Sequence, residues 1–484
     1  MWNGKDGSVG NEIKRGLLRM KSNVHLSISY KISLRIVKVL NVILVTIPYG
    51  ICWFGFYANR IASPYYERGN WAIIGLFILL YIWVGRTYDA FLVSYNRISE
   101  MIYSQILAIL VADTVMFIVL WLLGKNFPFI VPALFALVVQ IMLTALWSWG
   151  VHKWYFRLYP AKKTFIVWDM RRGLSDLIHS YGLSKKFDVA GDCLASECIQ
   201  NLHILDGMEA VFLSGVHSHD RNIIIKYCVE NHISAFVIPR IGDVIMSSAH
   251  RMHIFHLPML RVDGYNPTPE FLFVKRLFDI VCSLVGIMLT SPIMLITAIC
   301  IKRTDGGPVF YKQVRLTKDG KEFEVLKFRS MRVDAEKDGR ARLSTGDKDD
   351  RITPVGHFIR KCRIDELPQF LNILKGDMSL VGPRPERPEI AREYEKELPE
   401  FRLRLQAKCG LTGYAQVYGK YNTTPYDKLQ MDLMYIANAS LAQDLSILFA
   451  TVKILFIPES TEGIAEGAIT AMEQEAAAGN IKDM

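Results

Sequence analysis

Four apolar runs dominate the first 150 residues of the chain: Leu34–Ala58, Trp71–Val84, Met101–Gly124 and Phe127–Trp149. A helix needs about 20 residues to cross a hydrocarbon core of about 30 Å. Three runs reach that length, and the second does so when its flanks are included. The pattern therefore predicts a four-helix transmembrane region over residues 34–150.

The flanking charges predict which side of the membrane each end occupies. Lys and Arg are frequent in residues 1–33 and again after the fourth run, whereas the loop between the third and fourth runs carries only Lys125. Cytoplasmic segments collect basic residues. We expect residues 1–33 to form a basic cytoplasmic N-terminus, and the first run is too long and begins too late for a cleaved signal peptide.

The pattern changes over residues 160–265, where short apolar strands alternate with helical stretches. The predicted strands are "TFIVWD" (164–169), "FDVAGD" (187–192), "EAVFLSG" (209–215) and "SAFVIPR" (234–240). Continuous apolar strands separated by crossover helices are typical of a buried parallel sheet, which predicts a Rossmann-like α/β domain. A GxGxxG fingerprint is missing after the first strand. A scaffold or homodimer interface is the favoured role, with ligand binding as the alternative.

A fifth apolar segment, Lys275–Arg303, differs from the first four. Asp279 lies near its start, Ser291-Pro292 falls at its middle, and basic residues stand at both ends. Proline removes a helical hydrogen bond, and each arm is too short to span the membrane alone. We expect a re-entrant helix at about 276–301 that returns to the cytoplasmic face. A crossing helix with a kink is the alternative.

Basic and polar residues alternate with apolar ones over residues 308–332. Gln313, Arg315, Lys327 and Arg329 share this pattern, which predicts strands with one polar face. That face either is simply solvated or contacts a phosphorylated substrate.

Two adjacent acids, Asp365 and Glu366, follow in "RIDELPQF". A solvated helix start before Pro368 would explain them, because acids and proline both suit a first turn. The surrounding arginines favour another interpretation, since guanidinium groups bind phosphate oxygens bidentately. These arginines are Arg360, Arg363, Arg384 and Arg387. A carboxylate kept ionised by such cations could attack phosphorus or hold Mg²⁺ against a diphosphate.

Composition supports a membrane protein with an anionic substrate. Of the 484 residues, 51% are hydrophobic, and the formal net charge is +10. We find no nucleic-acid-binding motif, so lipid and phosphate are the expected partners. The eight cysteines show neither CxxC pairs nor zinc-ligand spacing, and we expect free thiols.

The third part of the chain, residues 273–458, resembles the bacterial sugar transferases, which are monotopic polyprenyl-phosphate hexose-1-phosphate transferases. The whole chain resembles their large members in layout. The matching stretches are "KRLFD", Ser291-Pro292, "PVFYKQVR", "LKFRSM", "DELPQF", "ILKGDMSLVGPRPE", "GLTGYAQVYGKY" and the Asp432–Tyr435 pair. One departure is Cys409, where many members have proline, and it affects a turn more than the chemistry.

The resemblance implies a reaction in two steps. Asp365 would attack the β-phosphate of a UDP-sugar, UDP-glucose or UDP-galactose being favoured, and release UMP. Undecaprenyl phosphate would then take the sugar phosphate from the aspartyl intermediate. Such a reaction starts capsule, exopolysaccharide or O-antigen synthesis at the cytoplasmic face of the bacterial inner membrane.

The resemblance also implies roles for individual residues. Asp365 and Glu366 would be the catalytic dyad, with Asp365 coordinating Mg²⁺. The implied phosphate and substrate contacts are Lys327, Arg329, Arg360, Arg384, Gln313, Arg315 and Asp432. The implied membrane anchor and helix break are Lys275, Arg276, Asp279, Ser291 and Pro292.

The predicted fold class is thus a membrane-bound α+β protein with three regions: four transmembrane helices, a Rossmann-like domain, and a monotopic α-rich catalytic domain. Residues 459–484 form a C-terminal tail. A helical apolar stripe at 441–455 predicts either lipid binding or core packing. Two other function classes stay open: a membrane scaffold with a decayed transferase, and an inverting glycosyltransferase that would release UDP.

Overall fold

The computed structural model describes residues 32–65, 68–124, 126–169, 172–332, 351–419 and 423–455. The predicted tail at 459–484 and nearly all of the predicted N-terminal segment lie outside these ranges. The chain divides into two compact units, Met1–Phe236 and Val237–Met484.

Each of the four N-terminal apolar runs corresponds to a helix of the first unit, although residues 127–130 precede the fourth helix. The helices are α1 (Ile32–Tyr57), α2 (Arg68–Thr87), α3 (Ile98–Leu123) and α4 (Val131–Leu158). All four are long and apolar enough to cross a membrane. The membrane association of the chain is therefore supported, and the number of helices that cross stays a prediction.

Buried polar side chains connect these helices. Asn41 of α1 donates to Gln105 of α3 at 3.3 Å and accepts from the Tyr81 hydroxyl of α2 at 2.8 Å. Gln105 also donates to the carbonyl of Ala90. Such interhelical hydrogen bonds specify packing where lipid supplies no hydrophobic driving force between helices.

A four-stranded sheet follows α4, in the order β2-β1-β3-β4. Its strands are β1 (Lys162–Trp168), β2 (Phe187–Leu194), β3 (Ala210–Ser214) and β4 (Ser234–Val237). The first strand pairs in parallel with both β2 and β3. Three helices follow β1, β2 and β3: α5 (Leu174–Ser180), α6 (Ala195–Gln200) and α7 (Ser218–Glu230). The predicted strands and crossover helices thus occur in the predicted order.

The second unit begins earlier than the predicted catalytic segment at 273. Helix α8 (Ile241–Ser247) places Ile241 and Val244 in the same core as Leu429 and Leu433. The hairpin of β5 (His250–Ile254) and β6 (Leu257–Arg261) comes next. Residues between 237 and 265 therefore belong to the compact unit that carries the acid pair.

The fifth apolar segment forms one helix, α9 (Pro269–Asp305), of 37 residues. At 1.5 Å per residue its length is about 55 Å. Pro292 lies inside it and cannot donate to the carbonyl of Met288, but the Ser291 hydroxyl donates to that carbonyl at 2.9 Å. The Ser-Pro pair therefore satisfies the acceptor that proline would leave exposed to lipid. Whether the helix re-enters or crosses stays a prediction.

The rest of the second unit is mainly helical, with two short sheets. Strands β7 (Phe310–Leu316) and β8 (Glu322–Phe328) form an antiparallel hairpin, and β9 (Ser379–Val381) pairs in parallel with β10 (Gly410–Thr412). The helices are α10 (Pro354–Lys361), α11 (Gln369–Lys375), α12 (Pro388–Glu397), α13 (Tyr414–Tyr418), α14 (Pro425–Ala437) and α15 (Leu441–Leu455).

Three helices of the second unit begin at Thr-Pro. In α9, α10 and α14 the threonine hydroxyl accepts a hydrogen bond from a backbone N–H of the first turn, and proline occupies the first helical position. The threonines are Thr268, Thr353 and Thr424. Proline suits that position because its missing N–H would have no helical partner.

The buried side of α15 consists of Asp444, Ile447 and Ala450. The predicted apolar stripe is offset from it: Leu441, Leu445 and their neighbours are only half-buried. The helix therefore packs on the core and still presents apolar surface.

Candidate active site

The acid pair lies in a sharp turn between two helices. After α10, Arg363 adopts a left-handed conformation with φ of 57°, and a 3₁₀ turn spans Ile364–Glu366 before α11 begins. Asp365 is 9% exposed, and the Glu366 side chain is 14% exposed. The pair thus precedes a helix, as the interpretation of a solvated helix start expected, but its side chains are buried and not solvated.

Glu366 is surrounded by cations. Its carboxylate lies 2.8 Å from the Lys327 ammonium, 3.3 Å from the Arg384 guanidinium and 3.9 Å from that of Arg363. Burial alone would raise its pKa, but these three charges outweigh burial and hold the pKa of Glu366 well below its usual range. Glu366 is therefore a permanent anion that fixes the cations in place.

Asp365 has the opposite environment. Within the described ranges its carboxylate accepts no hydrogen bond and forms no ion pair. Burial raises the pKa of Asp365 above its usual value, and the Glu366 charge adds to this, although Lys327, Arg360 and Arg363 oppose it. The sequence led us to expect that the cations keep Asp365 ionised. In the structure their strongest effect falls on Glu366 instead.

Asn372 aligns the acid-bearing helix with the strand that carries Lys327. Its side chain accepts from the backbone N–H of Leu326 at 2.9 Å and donates to the carbonyl of Glu324 at 2.8 Å. Both residues are on β8, so α11 is attached to the strand next to Lys327. The distance between Lys327 and Glu366 follows from this attachment.

A second buried charge cluster supports the segment that carries Arg384. Arg404 contacts Asp432 at 2.7 Å and Glu386 at 3.5 Å, and it donates to the Arg384 carbonyl at 2.8 Å. Desolvation raises the pKa of Asp432 to about 6 despite Arg404, whereas for Glu386 the nearby cations outweigh burial and lower the pKa. Asp432 therefore acts in this structure as a buried partner of Arg404.

Two residues of this cluster, Glu386 and Arg404, were not singled out from the sequence. Glu386 stands in the matching "VGPRPE" stretch, which is a usable signal, but nothing in the pattern around Arg404 marks it. Arg315 and Gln313 lie beside the cluster: Arg315 donates to the Pro385 carbonyl at 3.0 Å and to the Gln313 side chain.

Glycines let two of the matching stretches approach closely. A Cβ on Gly410 would lie 2.1 Å from the backbone nitrogen of Gly382, and one on Gly413 would lie 2.1 Å from the Gly382 carbonyl oxygen. Any side chain at these positions would push the strands of "VGPRPE" and "GLTGY" apart. The position of the segment that carries Arg384 therefore depends on this close approach.

The residues of the predicted membrane anchor attach α9 to the acid-bearing core. Lys275 pairs with Asp444 at 2.6 Å, and Asp279 accepts from Ser379 and from the N–H of Leu380. Arg276 donates to the last carbonyls of α11, those of Ile373 and Leu374, at 2.6 and 2.7 Å. A cation at a helix C-terminus is stabilising, so α9 caps the helix that follows the acid pair.

The structure thus separates the predicted site residues into groups. Lys327, Arg384 and Glu366 are in direct contact, and Arg360 is close enough to influence the pKa of Asp365. Arg329 is 7% exposed, and its backbone N–H donates to Val309. Ser291 and Pro292 are elsewhere on α9.

The donor set allows one mode of Mg²⁺ binding. No group of three or more acidic, histidine or cysteine side chains that could hold a metal occurs among the described residues. Mg²⁺ is commonly held by one or two carboxylates together with substrate phosphates and water. Asp365, which has no cationic partner among the described residues, fits that mode, and Glu366, already paired with Lys327, does not.

Comparison with known proteins identifies the family of the segment that carries the acid pair. Residues 271–458 match the Bacterial sugar transferase family. The UDP-N-acetylgalactosamine-undecaprenyl-phosphate N-acetylgalactosaminephosphotransferase of Aeromonas hydrophila is 39% identical over 231 residues, which cover 47% of this chain and 53% of that protein. The undecaprenyl-phosphate galactose phosphotransferase of Salmonella typhimurium is 33% identical over 315 residues, 61% of this chain and 58% of that protein.

These alignments span about half the length of those two relatives. A shorter relative is covered more fully: the UDP-glucose:undecaprenyl-phosphate glucose-1-phosphate transferase of Caulobacter vibrioides is 38% identical over 206 residues, 42% of this chain and 76% of that protein. The family match over residues 271–458 includes the acid turn, the strands β7 and β8, and α9 except for its first two residues. On these grounds the chain belongs to the bacterial sugar transferase family.

Proposed function

We propose that this protein transfers a hexose-1-phosphate from a UDP-sugar to undecaprenyl phosphate, with UMP as the by-product. The observation that carries the proposal is the buried acid pair. Glu366 holds Lys327 and Arg384 beside an Asp365 that has no cationic partner of its own among the described residues. That arrangement offers cations for phosphate oxygens and a carboxylate for attack on phosphorus.

The proposed reaction has two displacement steps. An Asp365 oxygen attacks the β-phosphorus of the donor, the bond to the oxygen bridging the two phosphates breaks, and UMP leaves with that electron pair. A phosphate oxygen of the lipid acceptor then attacks the same phosphorus and breaks its bond to Asp365. The carboxylate is regenerated, and the product is a lipid diphosphosugar.

The environment of Asp365 calls for added positive charge in this role. A nucleophilic carboxylate must be ionised, and burial raises the pKa of Asp365. A bound Mg²⁺ would supply positive charge that favours the ionised carboxylate and the donor's phosphates. Lys327 and Arg384 would bind the phosphate oxygens and stabilise charge in the transition state.

The attachment of the acid-bearing core to α9 suits a reaction whose acceptor is a lipid. The helix is apolar over most of its length, and only 11% of the residues in its most apolar 18-residue segment are buried. The acceptor's phosphate would lie at headgroup level while its isoprenoid stays in lipid. We place the catalytic unit on the cytoplasmic face of the inner membrane, where it would start capsule, exopolysaccharide or O-antigen synthesis.

The test is nucleotide release by the purified protein with undecaprenyl phosphate and Mg²⁺. The donor panel is UDP-glucose, UDP-galactose and UDP-N-acetylgalactosamine, the sugars in the names of the relatives above. We expect UMP with at least one donor and loss of at least about 10³-fold in Asp365→Asn, because that variant lacks the nucleophile. Asp319→Asn is the matched control, since Asp319 lies in a distant β7–β8 turn.

Donor labelled in the β-phosphate tests the intermediate. Label should remain on the wild-type protein after denaturation and be missing from Asp365→Asn. Release of UDP would identify the inverting glycosyltransferase alternative. Failure of every donor would reject the proposed transfer and favour the scaffold.

A further inference from the structure

The first unit contains a cavity of about 590 Å³. It lies where the start of α3 and the end of α4 meet the segment between α5 and β2. Its walls include Ser94, Tyr95, Arg97, His152, Lys185 and Lys186. Ligand sites in proteins commonly have volumes of about 300–1,000 Å³, so the cavity is large enough for a small polar group with part of its attached chain.

The cavity is basic. Arg97, Lys185 and Lys186 contribute cationic groups, and His152 adds an imidazole. Among the described residues that line it, none carries a carboxylate. A concave surface with charges of one sign attracts the opposite ion, because the low-dielectric walls focus the field.

Lys186 is the most constrained of these cations. The residue is 8% exposed, its ammonium lies 2.9 Å from the Ser94 hydroxyl, and it lies 2.8 Å from the centre of the Tyr95 ring. No described carboxylate lies within 4 Å of it. Burial, followed by the charge of Lys162, lowers the pKa of Lys186 to about 7. A buried ammonium without a counterion is costly, and an anion in the cavity would offset that cost.

Arg97 is held at the edge of the same cavity. Its guanidinium donates to the carbonyls of Ser180 and Tyr181 at 2.5 and 3.4 Å, next to the end of α5. Arg97 also precedes the first turn of α3, where backbone N–H groups give a helix a positive end. Glu100 accepts from the Arg97 backbone N–H at 3.3 Å, and the hydrogen bonds of the guanidinium to described residues go to carbonyls.

We propose that this cavity binds a phosphate group, held by Arg97, Lys185 and Lys186. The shared chemistry is a phosphate group with net negative charge, supplied either by an anionic lipid headgroup or by a soluble phosphate; the choline cation cancels that charge in phosphatidylcholine. The cavity opens at the ends of two helices that are long enough to cross a membrane, so a headgroup can reach it. This site is in the first unit, remote in sequence from the acid pair, and does not depend on the proposed transferase activity.

The test uses the full-length protein in nanodiscs of two compositions, phosphatidylcholine alone or with phosphatidylglycerol. In the lipid arm, native mass spectrometry counts the phosphatidylglycerol molecules retained on the released protein. In the soluble arm, inorganic phosphate and glycerol 3-phosphate are titrated into phosphatidylcholine nanodiscs while thermal stability is followed.

We expect the wild type to bind in one arm, and Lys185→Gln and Arg97→Gln each to weaken that binding by about tenfold, since a charge-assisted hydrogen bond is lost. Lys163→Gln is the matched control, because Lys163 is an exposed lysine of β1 outside the cavity. Lys186→Gln is the stronger variant, and the two others carry the test if it does not fold.

Retention of phosphatidylglycerol that depends on Arg97 and Lys185 identifies a lipid headgroup as the ligand. Saturable binding of inorganic phosphate or glycerol 3-phosphate with the same dependence identifies a soluble phosphate. Absence of binding in both arms, or equal weakening by Lys163→Gln, would overturn the proposal.

Discussion

Asp365 and Glu366 are neighbours in the chain, yet the structure shifts their pKa values in opposite directions. Glu366 points at Lys327 and Arg384, and its pKa is lowered. Asp365 is buried and has no such partner in the described part of the chain, and its pKa is raised. Residues with divergent pKa values in one site commonly divide the chemical roles between them. At the residue scale, Glu366 organises the cations, and Asp365 is the acid that we propose reacts with the donor.

The buried pair of Lys327 and Glu366 should be strongly coupled. Their charged atoms are 2.8 Å apart, and 21% of the Lys327 side chain and 14% of the Glu366 side chain are exposed. A double-mutant cycle with Lys327→Gln and Glu366→Gln should give a coupling free energy of about 1–3 kcal/mol from unfolding in detergent. Each single variant should also lower the rate of UMP release.

The same hairpin provides a matched control. Lys312 and Glu324 are also 2.8 Å apart, but 61% and 57% of their side chains are exposed. Their cycle should give about 0.2–1 kcal/mol because water and side-chain entropy weaken exposed pairs. Equal coupling in the two pairs would contradict the role assigned to burial.

Asp432 should make stability depend on pH. Its folded pKa of about 6 is above its usual value of 3.8, so the folded state holds this proton more tightly than the unfolded state. This contribution to stability is therefore fully present below about pH 4 and is lost as the pH rises to about 6. The Asp432→Asn variant does not titrate there.

The measurement is the difference in melting temperature between wild type and Asp432→Asn at several pH values. We expect the difference to shift against the wild type as the pH rises from 4 to 6 and to stay level above that. A constant difference across this range would show that Asp432 is not the titrating group.

At the scale of elements, the acid turn depends on how α9 contacts α11. Arg276 of α9 caps the C-terminus of α11. Gly286 of α9 leaves room for the ring of Phe370, which lies at the start of α11. Asn372 joins the other side of α11 to β8. The short helix after the acids is thereby held between an apolar helix and a cation-bearing strand.

Gly286→Ala should disturb this contact. The new Cβ would lie 2.9 Å from the Phe370 ring, so the ring or α11 must move. Overpacking of this kind costs about 1–3 kcal/mol, and we expect reduced stability together with reduced UMP release. The second change Phe370→Leu should restore part of both.

Gly150→Ala is the control for this experiment. Gly150 is also inside an apolar helix, α4, but nothing lies within 4 Å of a Cβ there. Replacement of glycine by alanine in a helix should then be neutral or stabilising by up to about 1 kcal/mol. Loss of stability in both variants would remove the steric explanation.

At the scale of the whole molecule, the path of α9 decides where the catalytic unit lies. The helix, about 55 Å long at 1.5 Å per residue, is longer than the hydrocarbon core of about 30 Å. Basic residues at both of its ends favour a return to the same side. We therefore keep the re-entrant path as a prediction.

Cysteine labelling in intact cells and inverted vesicles tests this path. Lys163→Cys lies after α4, Lys318→Cys lies beyond α9, and Asn126→Cys lies between α3 and α4. The background is Cys300→Ser with Cys362→Ser, which removes the two exposed thiols. We expect Lys163→Cys and Lys318→Cys to be labelled from one side and Asn126→Cys from the other. Labelling of Lys318→Cys from the side of Asn126→Cys would show a crossing helix.

The homodimer also stays a prediction, and the structure sharpens its test. A deletion of 160–265 would remove Ile241 and Val244 from the core of the second unit. Deletion of residues 162–236 leaves that core complete. We expect the mass in nanodiscs to fall from two copies to one, and an unchanged mass would place the interface elsewhere.

The sequence by itself determined the features that depend on neighbours in the chain. Periodicity and run length predicted the apolar helices and the parallel strands, and the acid pair with its arginines pointed to phosphate chemistry. The Thr-Pro starts of three helices are equally local signals.

Only the tertiary structure decided which charges pair. Lys275 contacts Asp444 across 169 positions, Asp279 contacts Ser379 across 100, and nothing in the pattern around Arg404 marks its contact with Asp432. The opposite pKa shifts of Asp365 and Glu366 have the same origin, because a pKa depends on burial and on charges contributed by remote elements. Local pattern determines what each segment forms, and packing determines which charges come within reach of one another.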